Sequence, residues 1–251
     1  MLRIKCILGI SLIAVSLHLY IPTISAKDDS FDSYVFSQQW LPGFCIHAAE
    51  EGLDCKIPDM VKNWVIHGIW PHSSKKHESP NFCNSSWHFN ESEIESIEDD
   101  LKIYWPNVLT STKKASFWKH EWEKHGTCAV DKPFIFNEKS YFEMGIKLNK
   151  KYNLKQIYES SGIIAVNYTS YKCEDFRNVI RKNWGVESII TCISSHLGSN
   201  QNSQGVRSHC RNCFDAHLCQ VVGYQDGIVD CCIVLVPLLW PFGMQSLSEH
   251  P

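Results

Sequence analysis

The residues best equipped for chemistry fall in two short stretches, Trp64–His72 (WVIHGIWPH) and Phe117–Cys128 (FWKHEWEKHGTC). Together they supply His67, His120, Glu121, Lys124 and His125, set among tryptophans and a phenylalanine. Imidazole has an ordinary pKa near neutrality, so two converging histidines can work as a general acid and a general base. A neighbouring Lys and Glu suit a transition state that gathers charge on phosphate oxygens.

Spacing sorts these groups onto one side. Each residue of an ideal helix turns by about 100°. With Phe117 at zero, His120 falls near −60°, Lys124 near −20°, Glu121 near 40° and His125 near 80°, an arc of about 140°. Lys119 and Glu123 fall opposite, four residues apart, where they can pair in solvent. Trp118 and Trp122 flank the polar arc and pack it onto the core. His120-Glu121 resembles the start of the zinc motif H-E-x-x-H, but the next histidine comes five residues on. Ligation from one helical face needs i and i+4, so no metal and no cofactor are expected. His47, His77, His88 and His196 read as surface or satisfied core residues.

Trp64–Ile69, rich in aromatic and branched residues and stopped by Pro71, reads as a buried strand ending at a functional edge. Phe117–His125 reads as a helix closed by Gly126. Tyr34–Trp40 has strand composition and stops at Leu41-Pro42-Gly43, and Cys45 to Cys55 encloses a short loop. Glu91–Tyr104 has helical spacing, with Ile94, Ile97 and Leu101 on one face and acids opposite. Tyr141–Tyr152, Leu154–Ser160 and Glu174–Asn183 read as helices, the last closed near Gly185. Glu187–Ile193 reads as a strand, and Leu218–Tyr224 with Ile228–Val236 as a hairpin around Asp226-Gly227. Strands and helices mix without regular alternation, which gives a single α+β domain.

The 251 residues are 44% hydrophobic, enough for a core, and carry a net charge of −3. No global basic field is present, so nucleic-acid contact must be local, and a DNA-coating protein is excluded. Arg3 and Lys5, an apolar run Ile7–Leu19 and Ile24-Ser25-Ala26 form a secretory signal cleaved near residue 26. The run is short for a membrane span. Cys6 leaves with the signal and eleven of the 12 cysteines remain, which in a secreted chain implies a disulfide framework with one odd thiol. The run His209–Cys219 reads accordingly as disulfide cysteines rather than a zinc knuckle. Asn84, Asn90 and Asn167 head N-x-[ST] sequons that fit glycosylation. The tail Cys232–Met244 is apolar, interrupted by Pro237 and Pro241, and reads as a buried terminal strand rather than a membrane anchor.

WVIHGIWPH and FWKHEWEKHGTC closely resemble the two active-site segments of the ribonuclease T2 family of secreted acid endoribonucleases. Residues near Gln38-Gln39-Trp40, FCNSSW at Phe82–Trp87 and YWP at Tyr104–Pro106 share the likeness, which extends to about Cys231. The resemblance implies a central antiparallel sheet flanked by several helices and stapled by disulfides, filling residues 27–251 with an atypical tail after about 232. It implies the catalytic pair His67 and His125, with Glu121 and Lys124 stabilising the pentacovalent phosphorane and His120 positioning phosphate. His125 is assigned as base and protonated His67 as acid, so the ribose 2′-hydroxyl attacks phosphorus and leaves a 2′,3′-cyclic phosphate. Slow hydrolysis to a 3′-phosphate comes next with the roles reversed.

Trp70 and Phe117 match base-stacking positions, Gln39 is a further candidate, and His72 stands where the family often has an acid that reads the base. Implied disulfides are Cys45–Cys55, Cys83–Cys128, Cys192–Cys232 and Cys213–Cys231. The expected partner is single-stranded RNA, with no DNA because DNA lacks the 2′-hydroxyl, no stable membrane association, and a monomeric state. Location is extracellular or in the endosomal-lysosomal lumen. The competing reading is a secreted glycoprotein that binds or signals on a ribonuclease scaffold, with a receptor reached through its glycans.

Overall fold

The computed structural model describes residues 31–75, 79–130, 134–165, 170–194, 219–220 and 230–239. At 170, 191–194, 219–220 and 230–239 only the backbone is described. The expected signal at 1–26, Asn167 and Cys213 lie outside these residues, as does most of the run His209–Cys219.

Strands β1 (Ser33–Gln39), β2 (Val65–His72), β4 (Ile189–Ser194) and β6 (Asp230–Leu239) form an antiparallel sheet in the order β2-β1-β6-β4. A second, two-stranded sheet joins β3 (Ser170–Tyr171) to β5 (Cys219–Gln220). The turn of the expected hairpin, Asp226-Gly227, lies outside the described residues; of its two strands, 219–220 pair with β3 instead, and β6 runs between β1 and β4. Residues 232–239 of the apolar tail thus build an inner strand.

Proline behaves differently here from the sequence expectation. Pro71 does not stop β2, because β2 is an edge strand and needs no donor on its outer side. Pro237 is accommodated in β6 because β4 pairs only as far as Leu235, which leaves that end of β6 with one neighbour. Likewise Leu41-Pro42-Gly43 opens a helix, α1 (Leu41–Glu50), rather than a loop. Proline is tolerated in a first turn, where its missing N–H costs nothing. Cys45–Cys55 ties this helix to the segment just after it.

The remaining helices are α2 (Glu98–Tyr104), preceded by a 3-10 turn at Glu91–Ile97, α3 (Ser116–Glu121), α4 (Thr127–Ala129), α5 (Glu138–Lys151), α6 (Leu154–Ser160) and α7 (Cys173–Trp184). Gly185 closes α7 at φ 67°, a left-handed conformation that glycine adopts without cost. α5 buries Tyr141, Phe142, Met144, Ile146 and Leu148 in a core shared with Phe36, Ile66, Ile69, Trp105, Trp118 and Trp122. A smaller cluster of Leu41, Val65 and Val108 sits apart from it. The buried Asn149 amide donates to Gln38 Oε1 at 3.0 Å and to the Trp64 carbonyl at 3.2 Å, fixing α5 against both strands.

Trp105 joins the two stretches that carry the candidate chemistry. Its indole N–H donates to the His67 carbonyl at 3.0 Å, and its own carbonyl accepts from Trp118 Nε1 at 2.7 Å. A Cβ at Gly145 would overlap the Trp105 ring, so α5 presents glycine where that ring must lie close.

Candidate active site

One extra residue in each of two elements builds this site. In β2, Ser37 of β1 faces Gly68 and Gln38 faces Ile66, so His67 is left without a partner as a β-bulge. A bulge shifts the side-chain alternation by one residue and re-aims the side chains beyond it. Ile66 and Ile69 therefore both enter the main core although three positions apart. His67 and Trp70, also three apart, come together with ring centroids 5.2 Å apart and edge to face.

The helix carrying the second stretch gains its residue in a π turn, Trp122–Gly126, inserted between α3 and α4. Gly126 does not close this helix: it has helical angles, φ −61° and ψ −42°, and the chain continues into α4. In a π turn the hydrogen bond spans five residues, so residues i and i+5 approach one another as i and i+4 do in an α-helix. His120 and His125, about 140° apart on an ideal helix, accordingly lie with ring centroids 6.5 Å apart. The insertion also removes the spacing ground for dismissing a metal. Among the described residues no three His, Cys, Asp or Glu side chains gather as a metal-binding set.

Trp70 is the hub. Its ring lies 5.4 Å from that of His125, and its Nε1–H donates to Glu121 Oε2 at 3.0 Å. Gly68 permits this, since a Cβ there would overlap both Trp70 Nε1 and Glu121 Oε2. The Phe117 ring lies 5.8 Å from that of His67. His120 is exposed at the rim, and Lys124 is half-buried beside the histidines. Trp118 and Trp122 are fully buried and anchor the helix, while Lys119 reaches Glu123 at 3.8 Å. Cys83–Cys128 pins the segment after β2 to α4. For Cys192 and Cys232 the strand register sets the two residues opposite one another.

Burial dominates the titration of the site. It pushes His67 down to about 4, helped by the charges of His120 and Lys124. It pushes His125 down to about 3, helped by Lys124, His120 and His67. His120 is lowered by the same two causes, burial and Lys124. Glu121, 1% exposed, is raised by burial to about 8, against the opposing pull of Trp70 and Lys124. Its carboxyl therefore holds a proton through neutrality.

These shifts oppose one another in stability. Between about 4 and the ordinary histidine value of 6.5 the unfolded chain binds more protons, so stability is lost as pH falls through that window. Between 4.5 and about 8 the folded chain binds the Glu121 proton and the unfolded chain does not, so stability is lost as pH rises there. Buried Glu138, raised to about 7, acts in the same sense. Glu121→Gln keeps the buried amide-sized group and removes the titration. Its melting temperature, followed from pH 5 to 9, should fall less steeply with pH than that of the native chain. Parallel curves would contradict a buried neutral Glu121.

Beside His67 opens a cleft of about 220 Å³, lined by Gln39, Phe44, Asn107, Leu109, Thr112 and Phe117 among others. Gln39 and Phe117 were expected near substrate, whereas Trp70 and His72 do not line this cleft. His72 is exposed at the end of β2, with Nδ1 3.2 Å from Ser79 Oγ. The segment Pro106–Ser116 escaped the sequence reading. Its signal was Asn107, a turn-forming residue just after the YWP run. The Asn107 amide donates to Thr112 Oγ1 and the Lys113 carbonyl, both at 2.9 Å, and its Oδ1 accepts from Leu109 N at 3.2 Å. Asn107 thus folds the cleft wall.

With fold and site together, the class is that of a cluster of buried and half-buried ionisable groups, His67, Glu121 and His125 around Trp70, on a disulfide-stapled α+β scaffold. The profile of the Ribonuclease T2 family matches residues 31–231. The chain is 40% identical to Ribonuclease Oy of Magallana gigas over 160 residues, 64% of this chain and 73% of that one. It is 36% identical to Ribonuclease T2-A of Mus musculus over 186 residues, 73% of this chain and 66% of that one. The solved structure of human RNase T2 superposes with a TM-score of 0.60 at 26% identity, covering 83% of this chain and 86% of that one. RNase NT in complex with 5′-AMP superposes at 0.58 with 28% identity, covering 67% of this chain and 80% of that one. The chain belongs to the ribonuclease T2 family, the T2-type endoribonucleases.

Proposed function

We propose that this chain cleaves single-stranded RNA by metal-independent transphosphorylation with little base specificity, leaving 2′,3′-cyclic phosphate ends that it then hydrolyses slowly to 3′-phosphates. One observation carries the reading: the bulge and the π turn set the imidazoles of His67 and His125 on Trp70, at 5.2 and 5.4 Å, with Glu121 bonded to the same indole. The nucleophile is the substrate's own 2′-hydroxyl, so the protein supplies a base, an acid and charge stabilisation.

Burial holds both imidazoles well below their ordinary value, His67 at about 4 and His125 at about 3, so a pair with one charged and one neutral ring exists only in acid. The form with neutral His125 and charged His67 is most populated between those values. His125 then takes the 2′-hydroxyl proton and His67 gives one to the departing 5′-oxygen. Lys124 and the protonated Glu121 face the charge gathering on the phosphoryl oxygens, and His120 positions the phosphate from the rim. The Gln39–Phe117 cleft takes a neighbouring base, a reading in line with the nucleotide held by RNase NT.

Secretion, or delivery to the endosomal-lysosomal lumen, belongs to the same proposal. Its support is the pair of disulfides and the exposed sequon residues Asn84 and Asn90.

The test is cleavage of single-stranded RNA in EDTA from pH 3 to 8. kcat/KM reports the free enzyme and should be bell-shaped with its maximum between the two values, near pH 3 to 4. A bound phosphate favours both imidazolium forms and raises both values, so the maximum of kcat should lie at higher pH than that of kcat/KM. Activity that rises steadily to pH 8, or that EDTA abolishes, would refute the acid–base assignment.

A further inference from the structure

Phe82 costs the fold twice without return. Its φ is +49°, a left-handed conformation that a bulky side chain rarely adopts and that costs of order 1–3 kcal/mol. Its side chain is also 58% exposed. Phe134 offers the contrast: its φ is +83°, but its ring packs against the main core. Among the described residues Phe82 has no such packing and makes no aromatic contact. Uncompensated strain held in place by its surroundings marks functional positions.

The surroundings do hold it. Phe82 N–H donates to the Lys124 carbonyl at 2.8 Å, and the next residue, Cys83, is bonded to Cys128. Upstream, Ser79 Oγ lies 3.2 Å from His72 Nδ1. Residues 79–83 are therefore tied at one end to the tip of β2 and at the other to the π turn. Lys124 directly precedes His125, whose ring lies on Trp70. The backbone of Phe82 is thus held at the border of the site, on the stretch between His72 and Lys124, with its ring exposed, and none of these residues lines the Gln39–Phe117 cleft.

We propose that Phe82 is a base-stacking platform for a nucleotide of single-stranded RNA flanking the scissile phosphate, outside the Gln39–Phe117 cleft. Every nucleobase has a π-face, so such a platform binds without demanding one base. It therefore adds grip to a site of low base specificity. The proposal rests on the ribonuclease reading for the identity of its ligand.

The test uses Phe82→Asn, since asparagine tolerates left-handed angles, and Phe82→Trp, which restores a stacking face. Affinity is measured with a 2′-O-methyl oligonucleotide, which cannot be cleaved, and KM with single-stranded RNA. Loss of one stacked base weakens binding by about 5- to 150-fold. Phe82→Asn should show that loss in affinity and KM while its melting temperature holds or rises. Phe82→Trp should recover the affinity. Unchanged affinity in Phe82→Asn, or a loss of affinity that Phe82→Trp does not restore, overturns the platform. A native chain that binds the oligonucleotide but cleaves no RNA instead overturns the ribonuclease reading and leaves the binding comparison intact.

Discussion

Replacing His125 by alanine is expected to lower kcat on single-stranded RNA by about 10²- to 10⁴-fold, the usual contribution of a positioned proton acceptor. The loss should occur without unfolding, because the half-buried ring rests on Trp70 and the anchoring tryptophans, Trp118 and Trp122, are untouched. His67→Ala should cost a similar factor on RNA, where the departing 5′-alkoxide needs a proton. The two variants separate on a 3′-nucleotide ester with a nitrophenol leaving group. Such a group leaves without protonation, so His67→Ala should recover most of its rate while His125→Ala stays slow. Equal recovery of both would contradict the division into acid and base. Because the pair acts as a unit, the double variant should be little slower on RNA than either single one.

Gly68→Ala is expected to damage both stability and catalysis. The added methyl would overlap Trp70 Nε1 and Glu121 Oε2 and lie 2.9 Å from Trp70 Cε2. The Glu121 oxygen ends a side chain, but one that is buried and hydrogen-bonded to the same indole. Relief requires the indole to move, which breaks the Trp70–Glu121 hydrogen bond and removes the surface on which His67 and His125 both rest. Overpacking of this kind costs about 1–3 kcal/mol, and displacement of the histidines by about 1 Å can cost 10²-fold in rate. A lowered melting temperature together with a fall in kcat/KM of at least tenfold is the expected result. Native-like values for both would mean that Trp70 has room to shift and is no hub.

The sequence made the site's inventory legible and left its geometry hidden. The residue types in WVIHGIWPH and FWKHEWEKHGTC were enough to single out the side chains that the fold gathers around Trp70. Periodicity was enough to place α5, α6 and α7 close to their observed bounds. What periodicity could not show were two departures from itself: the bulge at His67 and the π turn at Trp122–Gly126. An ideal helix put Glu121 and His125 on one arc, but it also put His120 far from His125 and ended at a glycine that in fact continues the turn. Pro42 and Pro71 mislead for a related reason. Each has the look of a breaker, yet one opens α1 and the other lies in an edge strand, where a missing donor is harmless. The partner of β6 was also unreadable locally, because β1 lies about two hundred residues upstream and only the assembled sheet brings them together. The cleft wall at Pro106–Ser116 belongs to the same class: its shape is made by one asparagine bonding around a turn.

The central claim is that the substrate attacks itself while the protein moves protons. It is tested most directly on an RNA oligonucleotide in EDTA at pH 4, alongside a copy carrying one 2′-deoxy residue. The account predicts cleavage at every accessible linkage except the one on the 3′ side of the deoxy residue, with each new 3′ end first appearing as a 2′,3′-cyclic phosphate. Cutting at the deoxy position, or 5′-phosphate products, would contradict it.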